Sequence, residues 1–308
     1  MVQGIAVVGS LNMDIVVTVD KLPAEGETLH GRGMSEVPGG KGANQAAAIG
    51  KLQTPVRMIG KVGTEGNGTA LLRSLEDAGV DTSAVMKTPR APTGIAVVTV
   101  DGDGHNHIIV VPGANGELSK EDIDFQRHVI EQCDIVILQL EVPLETVAYT
   151  LRLAKELGKT TVLNPAPARK LDEDILRYVD ILIPNEHELQ VMAKLDRIDK
   201  QTLEQAARQF MEHGVGAVIV TLGEEGCFYA DCDRMVLYPA RKVKATDTTA
   251  AGDSFIGGFV AGYLASRDAD AAIRQAQIAA AITVTRHGAQ SSLPTRQEVE
   301  AVQTEWNE

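Results

Sequence analysis

The sequence is short of the features that mark secreted, membrane-bound or nucleic-acid-binding proteins. Its 308 residues include three cysteines, Cys133, Cys227 and Cys232. None forms a C-x-x-C pair, and an odd count is a poor disulfide framework, so reduced thiols in the cytoplasm are expected. Basic charge is in deficit: 29 Lys and Arg stand against 42 Asp and Glu, a net charge of −13. A nucleic-acid surface needs a basic footprint, so none is expected; a local basic pocket for an anionic ligand is still compatible with that total. No stretch reaches the roughly 18 apolar residues of a membrane span. The opening MVQGIAVVGSLNMD has neither a basic start nor a long apolar core, so no signal peptide is expected. Chemistry-bearing motifs are missing too. His105 and His107 flank Asn106 without any His/Cys cluster, and Ser254 is not in a G-x-S-x-G turn.

What is present is alternation. The apolar runs GIAVVGS, VRMIGKVG, DIVILQLE, TTVLNPAP, DILIPNE and AVIVTLGEEG read as buried strands bounded by turn residues. Between them, GNGTALLRSLEDAG, ETVAYTLRLAKELG and TLEQAARQFMEHG read as helices closed by Gly. Near-continuous apolar strands alternating with helices predict an α/β protein, its mostly parallel sheet covered on both faces. Two stretches break the rhythm. DIVVTVDKLPAEGETLHGRGMSEVPGG lacks a helix signal, and TGIAVVTVDGDGHNHIIVVPGAN reads as two strands joined at DGDG. Together they predict a small antiparallel sheet appended to one domain spanning 1–308.

In an open α/β sheet, ligands bind beyond the carboxyl ends of the strands. Those ends carry Ser10, Asn12, Asp14, Glu141, Asn164, Asn185, Thr221 and Gly223. Any one could be an ordinary polar turn residue; as a set, these amides and acids suit hydroxyls or phosphate. PGGKGANQAAAIG is not a phosphate loop, because Gly42 follows Lys41 where that pattern needs Ser or Thr. It is a Gly-Gly turn entering an Ala-rich helix, with Lys41 and Asn44 able to meet one ligand on its first turn. TDTTAAGDSF puts Asp253 near the start of the Gly-rich run FIGGFVAGYLA. An acid there is either a helix cap or a catalytic acid beside free backbone N–H groups.

PGGKGANQA and DTTAAGDSF match the two signature regions of the ribokinase (PfkB-type) carbohydrate kinase family. The N-x-x-E of Asn185–Glu188 and the stretches GSLNMD, QLE, NPAPA, TLGEEG and GAQSS resemble the family in the same order, over essentially the whole chain. The resemblance implies a three-layer fold with a β-sheet lid from about 12–39 and 93–112, a lid-mediated homodimer, and ATP-dependent phosphorylation of D-ribose at O5. It makes Asp253 the base, with an anion hole at Ala250, Ala251, Gly252 and Asp253. At an ordinary pKa of about 4, Asp253 would serve only late in a loose transition state.

The same resemblance places the sugar on Asn12, Asp14, Gly40, Lys41, Asn44 and Glu141. It places the nucleotide on Asn185, Thr221, Leu222, Gly223, Glu224, Glu225, Gly226, Gly252 and Gln277; Gln277 stands where members often carry His. Mg²⁺ would be organised through water by Asn185 and Glu188, and K⁺ by Asp247, Thr249, Thr283, Arg286, Gly288 and Ser292, several through carbonyls. The alternatives are a kinase of another small sugar or nucleoside, such as 2-deoxyribose or fructose, and a non-catalytic sugar sensor.

Overall fold

The computed structural model describes residues 4–102 and 106–307; part of the expected DGDG turn, with His105, lies outside them. The chain begins with β1 (Ile5–Val8), β2 (Asn12–Thr18), β3 (Gly33–Gly39), α1 (Lys41–Lys51), β4 (Val56–Gly63) and α2 (Gly66–Asp77). There follow β5 (Val85–Thr88), β6 (Gly94–Val100), β7 (Asn106–Val111), α3 (Lys120–Phe125), α4 (Arg127–Glu131), β8 (Ile135–Leu138) and α5 (Leu144–Glu156). Next come β9 (Thr160–Leu163), α6 (Glu173–Leu176), β10 (Ile181–Leu182), α7 (Glu186–Ala193), α8 (Lys200–Glu212) and β11 (Ala217–Thr221). The last elements are β12 (Gly226–Ala230), β13 (Met235–Pro239), α9 (Ala251–Ser266), α10 (Ala269–Thr283) and α11 (Arg296–Asn307).

Nine strands form one sheet in the order β13-β12-β11-β10-β9-β8-β1-β4-β5. Every pair from β5 to β11 is parallel, and the β12–β13 edge is antiparallel. The alternation of side chains sorts each strand between two cores. Ile5 and Val7 of β1 pack with Ile49, Leu71, Phe259 and Ile273 from α1, α2, α9 and α10. Ala6 and Val8 face Ile123, Ile130, Leu151, Leu189 and Phe210 on the opposite side. Each such fully buried side chain contributes about 1.5–3 kcal/mol, which is why these strands read as unbroken apolar runs. The helices over 66–77, 144–156 and 200–212 are followed by Gly79, Gly158 and Gly214 with positive φ, as their sequences predict.

The smaller sheet has the order β3-β2-β6-β7. Its outer pairs are antiparallel, but the central pair β2–β6 is parallel. The segments between β2 and β6 include α1, β4, α2 and β5, long enough for a crossover that brings two strands side by side in the same direction.

Two features of this topology position the candidate site. β1 pairs in parallel with both β4 and β8, so the strand order reverses there and a crevice opens at its carboxyl end. Helix α9 packs against α1 so closely that a Cβ on Gly257 would lie 2.5 Å from the Ala48 Cβ. The Gly-rich run thus brings the first turns of α1 and α9 together.

Candidate active site

Asp253 is not a helix cap. The N-cap of α9 is Ala250, in the left-handed region at φ 59°, with no side-chain cap hydrogen bond. A left-handed alanine costs on the order of 1–2 kcal/mol, a strain characteristic of functional turns. Asp253 lies in the first helical turn, 8 % exposed. Its Oδ2 accepts from Asn44 Nδ2 at 3.1 Å and its Oδ1 from Gln45 Nε2 at 3.0 Å, both donors on α1. Burial pushes the Asp253 carboxyl above the usual range, against the pull of Lys41 and the two amides. It is therefore a better base than the ordinary aspartate expected from the sequence. Of the four residues proposed as an anion hole, Ala251 already donates its N–H to Thr248 O at 3.2 Å. Ala250, Gly252 and Asp253 are left to present N–H groups at the start of α9.

The residues expected to hold the sugar converge on the same place. Glu141, beyond β8, accepts from Ser10 Oγ at 2.5 Å and from the Lys41 backbone N–H at 3.1 Å, so its carboxylate sits at the positive end of α1. Gly40 is the N-cap of that helix, with φ 90°. Asn12 is buried, and its Oδ1 accepts from Asn115 Nδ2 at 2.8 Å, while its amide N–H groups make no hydrogen bond among the described residues. No hydrogen bond or ion pair among the described residues meets the Asp14 carboxylate. Burial first, then repulsion from Glu141 and Asp253, push Asp14 up to about 7. Burial works against the Lys41 ammonium, yet Asp253, Glu141 and Glu188 around it hold its pKa above the ordinary value.

Beside Asp253 lies a cavity of about 220 Å³, lined by Lys41, Asn164, Asn185, Glu188, Thr221 and Gly252 among others. Asn185 and Glu188 form a capping box on α7, each side chain accepting from the other's backbone N–H at 2.8 Å. Burial raises the Glu188 carboxyl despite that bond from Asn185. No group of three or more His, Cys, Asp or Glu among the described residues could cage a metal. One buried carboxylate facing a cavity does fit Mg²⁺, which keeps several waters and shares phosphate oxygens. Leu222 is buried, whereas Gly223, Glu224 and Glu225 stand exposed on a short 3₁₀ turn ending at Gly226. Gln277 lies apart from the residues lining the cavity; its amide donates to Tyr238 O and Pro239 O, both at 3.1 Å.

Asp247 joins two segments. It accepts from Thr249 N at 2.8 Å and from Gly288 N at 2.9 Å, each carboxylate oxygen keeping a free lone pair. Burial would raise its carboxyl, but these bonds hold it below the usual range. The Thr283 and Ser292 hydroxyls donate to Ala279 O and Ala289 O, and Arg286 pairs outward with Glu298. A cation here would meet the free lone pairs of Asp247, oxygen donors compatible with K⁺.

Four residues of the site escape sequence reasoning by role: Gln45, Gln139, Asn115 and Asn164, the last noted only as a strand end. A signal exists for Gln45, because Asn44–Gln45 is the one polar pair inside the apolar run AAAIG extends.

Residues 2–296 match the model of the pfkB family carbohydrate kinases. The chain is 40% identical over 305 residues to a ribokinase of Staphylococcus aureus, covering 98% of this chain and 100% of that one. It is also 40% identical over 292 residues to a deoxyribokinase of Salmonella typhi, covering 94% and 95% respectively. Among solved structures, an Arabidopsis thaliana ribokinase complexed with ribose and ATP superposes with a TM-score of 0.91 at 31% identity, over 98% of this chain and 99% of that one. With the match spanning nearly its whole length, the chain belongs to the pfkB family of carbohydrate kinases.

Proposed function

We propose that the protein transfers the γ-phosphoryl group of ATP to O5 of D-ribose, giving ribose 5-phosphate. The observation that carries this reading is Asp253: a buried carboxylate, clamped by two amides, in the first turn of α9 and beside the cavity. Phosphoryl transfer asks for positioning and charge stabilisation more than covalent chemistry. Asp253 accepts the proton of the attacking hydroxyl, since each of its oxygens keeps a lone pair beyond its amide bond. The N–H groups of Gly252 and Asp253 and the Lys41 ammonium meet the charge on the transferring group. Asn12, Asp14, Asn44 and Glu141 read the sugar hydroxyls, and Thr221 to Gly226, with Gln277, take the nucleotide side. Mg²⁺, organised by Asn185 and Glu188, neutralises phosphate charge when bound. K⁺ beside Asp247 would stiffen the segment leading to α9.

The lid role of the smaller sheet and a homodimer through it belong to the same reading. What supports them is a row of apolar residues facing solvent on β7, from Ile108 (57 % exposed) to Val111 (45 %), with Met34 on β3. Sedimentation should show a dimer that Ile109→Asp weakens. Cys133 and Cys227 are buried free thiols, which suits a cytoplasmic protein.

ADP release coupled to a visible reporter, over a panel of pentoses, hexoses and nucleosides, tests the substrate. D-ribose should give the highest kcat/KM, with 2-deoxyribose next because the hydroxyl-reading residues are shared. Faster turnover of 2-deoxyribose or fructose would reassign the sugar, and no sugar-dependent ADP release would favour a sensor.

A further inference from the structure

Gln45 is fully buried, so it has no access to a substrate, yet it donates to the carboxylate that the proposed mechanism depends on. Its Nε2 also donates to Asn164 Oδ1 at 3.2 Å, and its Oε1 accepts from Gln139 Nε2 at 2.6 Å. Gln139 Oε1 is the single buried side-chain nitrogen or oxygen without a hydrogen-bond partner among the described residues. It fills the space beside Gly9 where a Cβ would sit 2.0 Å away.

The chain of amides explains that orphan. An ionised Asp253 can only accept, so Gln45 must turn its NH₂ toward it. The Gln45 oxygen then faces Gln139, which must also present its NH₂, and its own oxygen is left against Gly9. Reversing Gln139 would oppose two oxygens, and reversing both would aim the Gln45 oxygen at the Asp253 carboxylate and at Asn164 Oδ1. The unpaired acceptor is thus left at the end of the chain farthest from the carboxylate. A second chain fixes the other oxygen: Ser74 Oγ donates to Gln290 Oε1, Gln290 Nε2 to Asn44 Oδ1, and Asn44 Nδ2 to Asp253 Oδ2.

We propose that Gln45 is a positioning residue for Asp253, locked into its donor orientation by Gln139, so that the carboxylate plane and its free lone pairs are fixed before the sugar arrives. The proposal rests on Asp253 being the base. Asp253 also feels Lys41 on α1, Asp14 on β2, Glu141 beyond β8 and Glu188 on α7. All four stay in place when Gln45 changes.

The test is steady-state kinetics with ribose and ATP across pH, with thermal midpoints, for the parent, Gln45→Met, Gln139→Met, Asp253→Asn and the double variant Gln45→Met/Asp253→Asn. Met matches Gln in length but donates nothing. Gln45→Met should lower kcat about 10- to 100-fold, the scale of a misplaced reacting group, with KM for ribose within about threefold. The acid limb of its kcat profile should move to higher pH, because a donor to the ionised form is gone. Gln139→Met should move the limb the same way by less, and Gln45→Met should add almost no loss to Asp253→Asn. A kcat within twofold of the parent and an unmoved limb in Gln45→Met would overturn the proposal. Should that variant not fold, an unmoved limb in Gln139→Met overturns it instead. Parent-like turnover in Asp253→Asn is a different failure, and would remove the base itself.

Discussion

Asp14 and Asp122 are the same residue type in two partly buried places, and their surroundings differ. Asp122, on α3, accepts from Lys61 Nζ at 2.5 Å and from the Ser119 backbone N–H at 2.8 Å. Burial would raise its carboxyl, but these partners hold it below the usual range. Asp14, on β2, has only like charges for company, and burial with that repulsion pushes it up to about 7. Asp122 ties α3 to the sheet through a buried lysine, whereas Asp14 is part-buried with no hydrogen bond or ion pair among the described residues. Glu188, in the first turn of α7, and Asp253, in the first turn of α9, resemble Asp14 in having carboxyls raised by burial. At these three carboxylates burial outweighs whatever partners are present, whereas at Asp122 the partners outweigh burial.

That contrast is sharpened first at Asp253, where the largest effect is expected. Asp253→Asn keeps both amide neighbours within reach but cannot take a proton. Turnover should fall about 10²–10⁴-fold while calorimetry still finds ribose binding. Turnover within threefold of the parent would place Asp253 with the structural acids.

Asp→Asn at the other two positions should then act in opposite directions. Asp14→Asn should weaken ribose binding by about 1–3 kcal/mol and make the free protein more stable. The sign follows from linkage: between about pH 4 and pH 7 folded Asp14 keeps a proton that the unfolded chain has lost, so stability falls as pH rises through that window. The gain from Asn should therefore be full above about pH 7 and vanish toward pH 4. Asp122→Asn should destabilise by about 1–2 kcal/mol, less than a fully buried pair because solvent reaches the carboxylate. Its contribution is present above the ordinary aspartate pKa and is lost as pH falls through the depressed one. Its kcat should stay at the parent level. Thermal melts from pH 2 to pH 8 check both, and a melting point lowered by Asp14→Asn at pH 8 would contradict the assignment.

The smallest effect concerns Asp247, an acid with backbone partners. Exchanging Na⁺ for K⁺ at constant ionic strength should raise ribose-dependent turnover a few-fold in the parent, and not in Asp247→Ala. No gain in the parent would mean that Asp247 serves only to join its two segments.

The strands with unbroken apolar runs were legible, because both faces of the parallel sheet are buried. β13 was not: MVLYP is a half-exposed edge strand without a clear alternation. The parallel pairing of β2 with β6 was also hidden, since a hairpin signal reports only neighbours in sequence. In the site, Lys41, Asn44 and Asp253 were legible from their motifs, and Asp14 and Glu141 from strand ends. The donor pair Gln45–Asp253 spans 208 positions and Asn115–Asn12 spans 103, so no local pattern records either contact. Nor does spacing reveal that Asp14 has no hydrogen-bond or ion-pair partner among the described residues.

The position of the transferred phosphate tests the proposed reaction most directly. The protein is incubated with ATP, Mg²⁺ and D-ribose, and the product is followed by ³¹P NMR with coupling to the sugar protons. One phosphomonoester coupled to the two C5 protons should appear with ADP, about 10²-fold or more slowly with Asp253→Asn. A phosphate on another ribose oxygen, or an equal rate of product formation from Asp253→Asn, would contradict that reaction.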